Sequence, residues 1–199
     1  QDLEFLAGEG PRLSPRLVDT TLDALHAVPE RLAPIYDTVA RVKAGLGSGR
    51  TLLGCAGSPW TVATYMVAGE GSRDQHETRA LAYRDPQAFQ AIIDAIVAVT
   101  VDYLCGQIAA GAEAVQLFDS WAGSLAPAVF ERWVIAPNAA IVAALKRRFP
   151  DVPVIGFPKG AGEKLPAYAA ATGVDAIALD ETIDPVWAAR ALPEGMPVQ

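Results

Sequence analysis

The chain has 199 residues, 51% of them hydrophobic and 20% charged, with 23 acidic side chains against 16 basic ones and a net charge of −7. A mean hydropathy of +0.22 excludes intrinsic disorder and a collagen-like chain, because this much aliphatic surface can be buried in a core. The acidic balance argues against nucleic acid as a partner, since phosphate-backbone binding requires a basic face that displaces counterions.

The first expected strand runs from Thr51 to Cys55, and helices follow over Trp60 to Val67 and Gln75 to Tyr83. Asp85-Pro86, a side-chain cap followed by a first-turn proline, opens a long helix that closes before Gly111. Its apolar positions, among them Phe89, Ile92, Ile93, Ile96, Val101 and Leu104, step by three and four into one stripe. Asp94 and Asp102 interrupt the stripe, so the reading is a helix packed on a sheet, with no membrane span. The opening Gln1-Asp2-Leu3-Glu4 does not read as a signal peptide, and the expected address is cytoplasmic. Next come a strand from Ala114 to Phe118, a helix from Pro127 to Phe149 kinked at Pro137, and a strand from Pro153 to Phe157. A helix over Glu163 to Thr172, a strand over Val174 to Leu179, a helix over Pro185 to Leu192 and a strand from Pro197 complete the order.

None of these strands alternates cleanly with polar residues. Continuous apolar runs separated by helices imply strands buried on both faces, as in parallel sheets with crossover helices. An open doubly wound sheet and a closed (β/α)8 barrel both fit this α/β order. The glycines make neither a dinucleotide fingerprint nor a P-loop, since Lys159 precedes Gly160 and Gly162 instead of following them. About five strands fit, against the eight of a closed barrel. The expectation is therefore one domain over residues 1–199, an internal portion of a longer protein.

In parallel α/β folds the working groups follow the carboxyl ends of strands. Here those positions hold Gly57-Ser58-Pro59, Asp119-Ser120-Trp121, Lys159-Gly160 and Asp180-Glu181, with Tyr65 one helix-length past the first. Asp119 and Asp180 read equally as turn caps or as directly acting groups. Ser120 has no histidine to activate it, so it is a turn residue or a hydrogen-bond donor to a carboxylated ligand. Tyr65 is either half-buried packing or a ligand contact, and Lys159 either a solvated lysine or the one cation at this face. His26 and His76 lie away from the strand ends, and Trp60, Trp121, Trp133 and Trp187 read as core or interface anchors. Cys55 and Cys105 read as buried free thiols, and no CxxC or HExxH spacing is present, so no metal site is expected.

Gly54-Cys55-Ala56-Gly57-Ser58-Pro59-Trp60-Thr61-Val62-Ala63-Thr64-Tyr65-Met66-Val67, continuing through Gly69 and Ser72, resembles a block of the uroporphyrinogen decarboxylase family. The stretch from Gly111 to Gly123, with its Phe118-Asp119-Ser120, is similar to that family's next strand and loop. Pro153 to Gly162 and Gly173 to Asp180 are similar to its later blocks, and Glu9 to Leu13 and Pro29 to Leu32 to its upstream connector. The resemblance implies a (β/α)8 TIM barrel that removes the carboxyl groups of the four acetate arms of uroporphyrinogen, giving coproporphyrinogen in haem biosynthesis. It also implies no cofactor, a homodimer with facing barrel mouths, and substrate binding by Tyr65 and Ser120. The family's amino-terminal arginine motif, essential aspartate and late histidine have no counterpart among these residues, so no catalytic residue is expected within them. Two other readings compete: a methyltransferase of the same barrel superfamily, which would need His and Cys ligands for zinc, and an inactive barrel fragment acting as a binding module.

Overall fold

Proline marks most of the helix starts. The computed structural model describes residues 1–5, 10–20, 22–24 and 28–199. Among these, seven of the eight α-helices carry proline in their first two positions, where the missing N–H has no intrahelical partner to lose. They are α1 (Ala33–Gly45), α2 (Pro59–Ala68), α4 (Pro86–Ala109), α5 (Pro127–Phe130), α6 (Ala136–Arg148), α7 (Leu165–Thr172) and α8 (Pro185–Ala191); α3 (His76–Arg84) is the exception. The expected Asp85 cap is present, its carboxylate accepting from the Ala88 amide at 3.0 Å. Gly69 and Gly173 end α2 and α7 in the left-handed region, at φ of 80° and 74°, where a side chain would be strained. His26 and Glu9 lie outside the described residues.

Four strands, β3 (Leu53–Gly57), β4 (Ala114–Asp119), β5 (Val154–Pro158) and β6 (Ala176–Ile177), form one parallel sheet in the order β3-β4-β5-β6. The register pairs Gly54 with Val115, Val115 with Val154, and Gly156 with Ile177. Val198 bridges Ile177 in parallel, so the last expected strand begins where the sequence places it. The expected strand over Val174 to Leu179 narrows to two residues, and the first strand lies two residues later than expected. β1 (Asp2–Phe5) and β2 (Pro11–Ser14) make a separate antiparallel hairpin, and α1 follows it. Neither was anticipated, because their short, mostly exposed segments carry little apolar pattern.

Strand order separates the two architectures left open above. A doubly wound sheet reverses direction at a switch point, whereas this one advances by one neighbour at every crossover. With crossovers of constant hand, all helices then fall on one face. That face holds Gly54 against Gln107 of α4, Gly156 against Tyr168 of α7, and Asp119 against Thr61 of α2. The alternate residues, Leu53, Cys55, Phe118, Ile155 and Phe157, face the other way and stay partly or fully exposed. Their arrangement is that of the inner face of a barrel sheet.

The core lies between sheet and helices. Phe89 of α4 is edge-on to Trp60 and Trp133, with ring centroids 5.6 and 4.8 Å away, and all three are buried, as expected for Trp60 and Trp133. Trp187 is instead 37% exposed. Cys105 is buried as expected, but Cys55 is exposed on the sheet's helix-free face. The expected kink at Pro137 takes the form of a π-helical turn, Glu131–Ile135, just ahead of it. The proline ring clashes with the carbonyl four residues back, and widening that turn relieves the clash. Two helical stretches, Pro86–Ala109 and Pro127–Arg148, are long and apolar enough by composition to cross a membrane. Here Ile93, Leu104, Ile141 and Leu145 of these stretches are buried in the core beside the sheet.

Candidate functional site at the ends of the parallel strands

The carboxyl end of β4 carries Asp119, Ser120 and Trp121. Asp119 is wholly buried on the helix side of the sheet. Its Oδ1 accepts from the Thr61 hydroxyl at 2.6 Å, and the Asn138 side-chain amide reaches toward Oδ2 at a long 3.5 Å. Asn138 is held by Ser58, whose hydroxyl donates to its Oδ1 at 3.0 Å, and by its own bond to the Val134 carbonyl at 2.8 Å. Among the described residues no Lys or Arg pairs with Asp119. Burial pushes its pKa up to about 6, and the Thr61 and Asn138 hydrogen bonds oppose that rise without cancelling it.

Thr61 has two roles in this cluster. While its hydroxyl donates to Asp119, the same oxygen accepts the Trp121 backbone N–H at 3.2 Å. The Trp121 carbonyl accepts from Gln75 Nε2 at 3.0 Å, and Gln75 Oε1 in turn accepts from the Trp60 indole at 2.8 Å. The backbone on both sides of Trp121 is therefore tied to the α2–α3 region. One turn further on, the Lys164 ammonium donates to the Gly123 and Leu125 carbonyls at 2.9 and 3.0 Å, holding the rest of the loop.

Tyr65 lies one helical turn after Thr61 on the same face of α2. Its ring meets the Trp121 ring edge-on, with centroids 6.4 Å apart. Ser120, exposed at the strand end, sits between buried Asp119 and clamped Trp121. Of the two residues singled out as substrate contacts, Tyr65 thus meets Trp121, and Ser120 directly precedes Trp121 in the chain. Tyr65 also lines a cleft of about 400 Å³ with Pro11, Arg12, Glu70 and Gly71. The hairpin reaches this cleft because the Leu13 amide donates to the Gly69 carbonyl at 2.7 Å and the Leu17 amide to the Met66 carbonyl at 2.9 Å.

The other strand-end candidates have partners of their own. Lys159, the cation expected at this face, lies 3.4 Å from Glu181 in an exposed pair. Arg12 is a second cation on the Tyr65 side, 3.4 Å from Glu70, and nothing in the local sequence around Tyr65 signals it. Asp180 caps its own turn: burial opposes its charge, yet bonds from the Thr182 hydroxyl and the Gly160 and Thr182 amides hold its carboxyl below the usual range. His76 is exposed at the start of α3. Thr61, Gln75 and Asn138 were not singled out from sequence; the four-residue spacing of Thr61 and Tyr65 on one helix was the available signal. Among the described residues, no group of three His, Cys, Asp or Glu side chains is placed to hold a metal ion.

A parallel sheet that advances strand by strand, with helices on one face and polar residues at its carboxyl ends, defines a β/α-barrel protein. A solved structure supports that class: a methyltransferase from Methanosarcina mazei overlays on 99% of this chain and 58% of its own, with a TM-score of 0.78 at 12% identity. The chain belongs to the uroporphyrinogen decarboxylase family, a TIM-barrel family whose model matches residues 1–199. It is 74% identical over its full length to a uroporphyrinogen decarboxylase of Novosphingobium aromaticivorans, and 73% and 70% identical to those of Erythrobacter litoralis and Rhizorhabdus wittichii. It spans 58% of the length of each of these three relatives.

Proposed function

We propose that the protein carrying this chain is a uroporphyrinogen decarboxylase, a cofactor-free carboxy-lyase that converts uroporphyrinogen to coproporphyrinogen by removing CO2 from its four acetate arms. The observation that carries this reading is the 74% identity, across all 199 residues, to a relative of that name. Residues 1–199 are then one portion of a single barrel domain, with Tyr65 and Ser120 as substrate contacts. The further proposals are a cytoplasmic address and a homodimer.

The chemistry suits a site without a cofactor. When the bond from the acetate methylene to its carboxylate breaks, CO2 leaves and the electron pair remains on carbon. Prior protonation of the adjacent pyrrole turns the ring into a sink for that pair; a second proton then completes the methyl group as the ring releases the first and regains its pyrrole form, so one proton is consumed for each CO2 lost. The residues of this chain bind and orient the substrate: Ser120 donates to a carboxylate, and the Tyr65 phenol fixes the ring over the strand ends. In the family pattern, arginines that hold the carboxylates and an acidic group that holds the pyrrole N–H groups complete the site; its arginine motif and essential aspartate have no counterpart among these residues.

The test is anaerobic turnover of uroporphyrinogen by the full chain as the cell makes it, following coproporphyrinogen by chromatography. Tyr65→Phe is expected to lower kcat/KM about tenfold and Ser120→Ala about fivefold, the loss of one hydrogen bond each. Absence of coproporphyrinogen with the parent protein sinks the functional reading; turnover with unchanged kcat/KM in both variants removes these two residues from the site.

A further inference from the structure

Asp119 is a buried acid with no cation paired to it among the described residues, and only its Oδ1 accepts a bond of ordinary length. The groups that face it are the Thr61 hydroxyl from α2, the Asn138 amide from α6 and, from α7, the buried Tyr168 phenol, whose own ionisation is disfavoured first by burial and then by the charge of Asp119. A carboxylate in such a place needs a compensating use, because an amide or a methyl-bearing side chain would fill it at lower desolvation cost. The use is visible in what its hydrogen bond holds. The Thr61 hydroxyl points its proton at Asp119, which leaves its lone pairs for the Trp121 N–H. A charged acceptor strengthens and orients that hydroxyl more than a neutral one does.

We propose, on the reading that this is a uroporphyrinogen decarboxylase, that Asp119 and Thr61 are positioning residues that set the distance between the two substrate contacts, Tyr65 and Ser120. Thr61 shares a helix face with Tyr65, and its oxygen holds the amide that follows Ser120. One hydroxyl therefore couples the helix that carries the phenol to the strand end that carries the serine. The Tyr65–Trp121 ring contact and the Gln75 bond to the Trp121 carbonyl close the loop from the other side. Neither Asp119 nor Thr61 needs to touch substrate. Their effect falls on binding, which appears in KM, while the steps that break the carbon–carbon bond remain with other groups.

The experiment measures KM and kcat for uroporphyrinogen with the full chain and three variants. Thr61→Val keeps the shape and deletes the hydroxyl; KM is expected to rise about fivefold to tenfold with kcat within about twofold of the parent. Thr61→Ser restores the hydroxyl and is expected to return KM to the parent value. If Thr61→Val does not fold because it strands the carboxylate, the double variant Thr61→Val with Asp119→Asn removes the stranded charge and is expected to show the same rise in KM. Folded Val variants with parental KM, or a Thr61→Ser variant no better than Thr61→Val, overturn the proposal while leaving the decarboxylase reading intact. A parent protein that forms no coproporphyrinogen overturns both.

Discussion

A carboxyl group whose pKa rises on folding favours the folded state most when it is protonated. Asp119 moves from 3.8 to about 6, so below about pH 4 it opposes folding least. As pH climbs from about 4 to 6 the unfolded chain has released this proton and the folded chain has not, and stability falls by up to about 3 kcal/mol, then levels off. The groups facing it, the Thr61 hydroxyl, the Asn138 amide and the Tyr168 phenol, do not titrate in that window. Asp119→Asn is therefore expected to be more stable than the parent above pH 6, with an advantage that shrinks steadily toward pH 4. Melting temperatures of both proteins from pH 4 to 8 check this; a difference that is constant across the range contradicts the raised pKa. Other carboxylates, such as Asp74 and Glu113, are held below their usual range by hydrogen bonds, first from Ser72 and Lys43 respectively, and they cancel in the comparison because both proteins share them.

Among the elements, β5 and α7 meet at a contact with no spare room. A side chain at Gly156 would place its Cβ 2.6 Å from the Tyr168 ring and 2.8 Å from its hydroxyl oxygen. Tyr168 is fully buried against Phe130 and cannot swing aside. Gly156→Ala is expected to lose about 1–3 kcal/mol to overpacking, read as a lower urea midpoint. The buried Tyr168 hydroxyl has no hydrogen-bond partner among the described residues, so Tyr168→Phe is expected to be neutral or stabilising and to recover part of the Gly156→Ala loss in the double variant. A Tyr168→Phe variant that loses more than about 1 kcal/mol would show that the hydroxyl makes an essential bond. Periodicity placed the helices and strands that meet here, but the glycine needed at the contact follows from the register of β5 against α7, and no local pattern encodes it.

Across the whole molecule, the two faces of the parallel sheet have different surroundings. One is buried under α2, α4, α6 and α7, while Leu53, Cys55, Phe118, Ile155 and Phe157 on the other have no helix over them among the described residues; Phe118 and Phe157 lie edge-on at 5.6 Å. In a closed barrel that face is interior. Cys55 reports on it and Cys105, buried in α4 beside Arg148, is the internal control. The 199-residue chain by itself is expected to label at Cys55 with a maleimide and to spare Cys105. A protein with the full length of the relatives is expected to label Cys55 at least about tenfold more slowly, in line with a buried thiol. Equal rates at Cys55 in the two proteins would mean that the face stays open.

The parts of this protein legible in the sequence are those governed by near neighbours along the chain. Pro59, Pro86, Pro127 and Pro185 start helices because a proline ring fits only where no amide is needed, and Asp85 caps α4 three residues away. Apolar runs of four to six residues became strands of one parallel sheet, and the family motifs around Tyr65 and Ser120 fall at its carboxyl ends. The tertiary structure alone decided which charged groups meet which partners around the strand ends. Lys159 lies beside Glu181, Asp180 is held by its own turn, and Arg12 arrives beside Tyr65 from more than fifty residues upstream because the hairpin pairs with the end of α2. The bond from Trp121 to Thr61 spans 60 positions, and Asp119 becomes a weakened acid only because three helices close over it. Caps and periodicity act within a few residues, whereas burial and the pairing of charges depend on which distant segments come together.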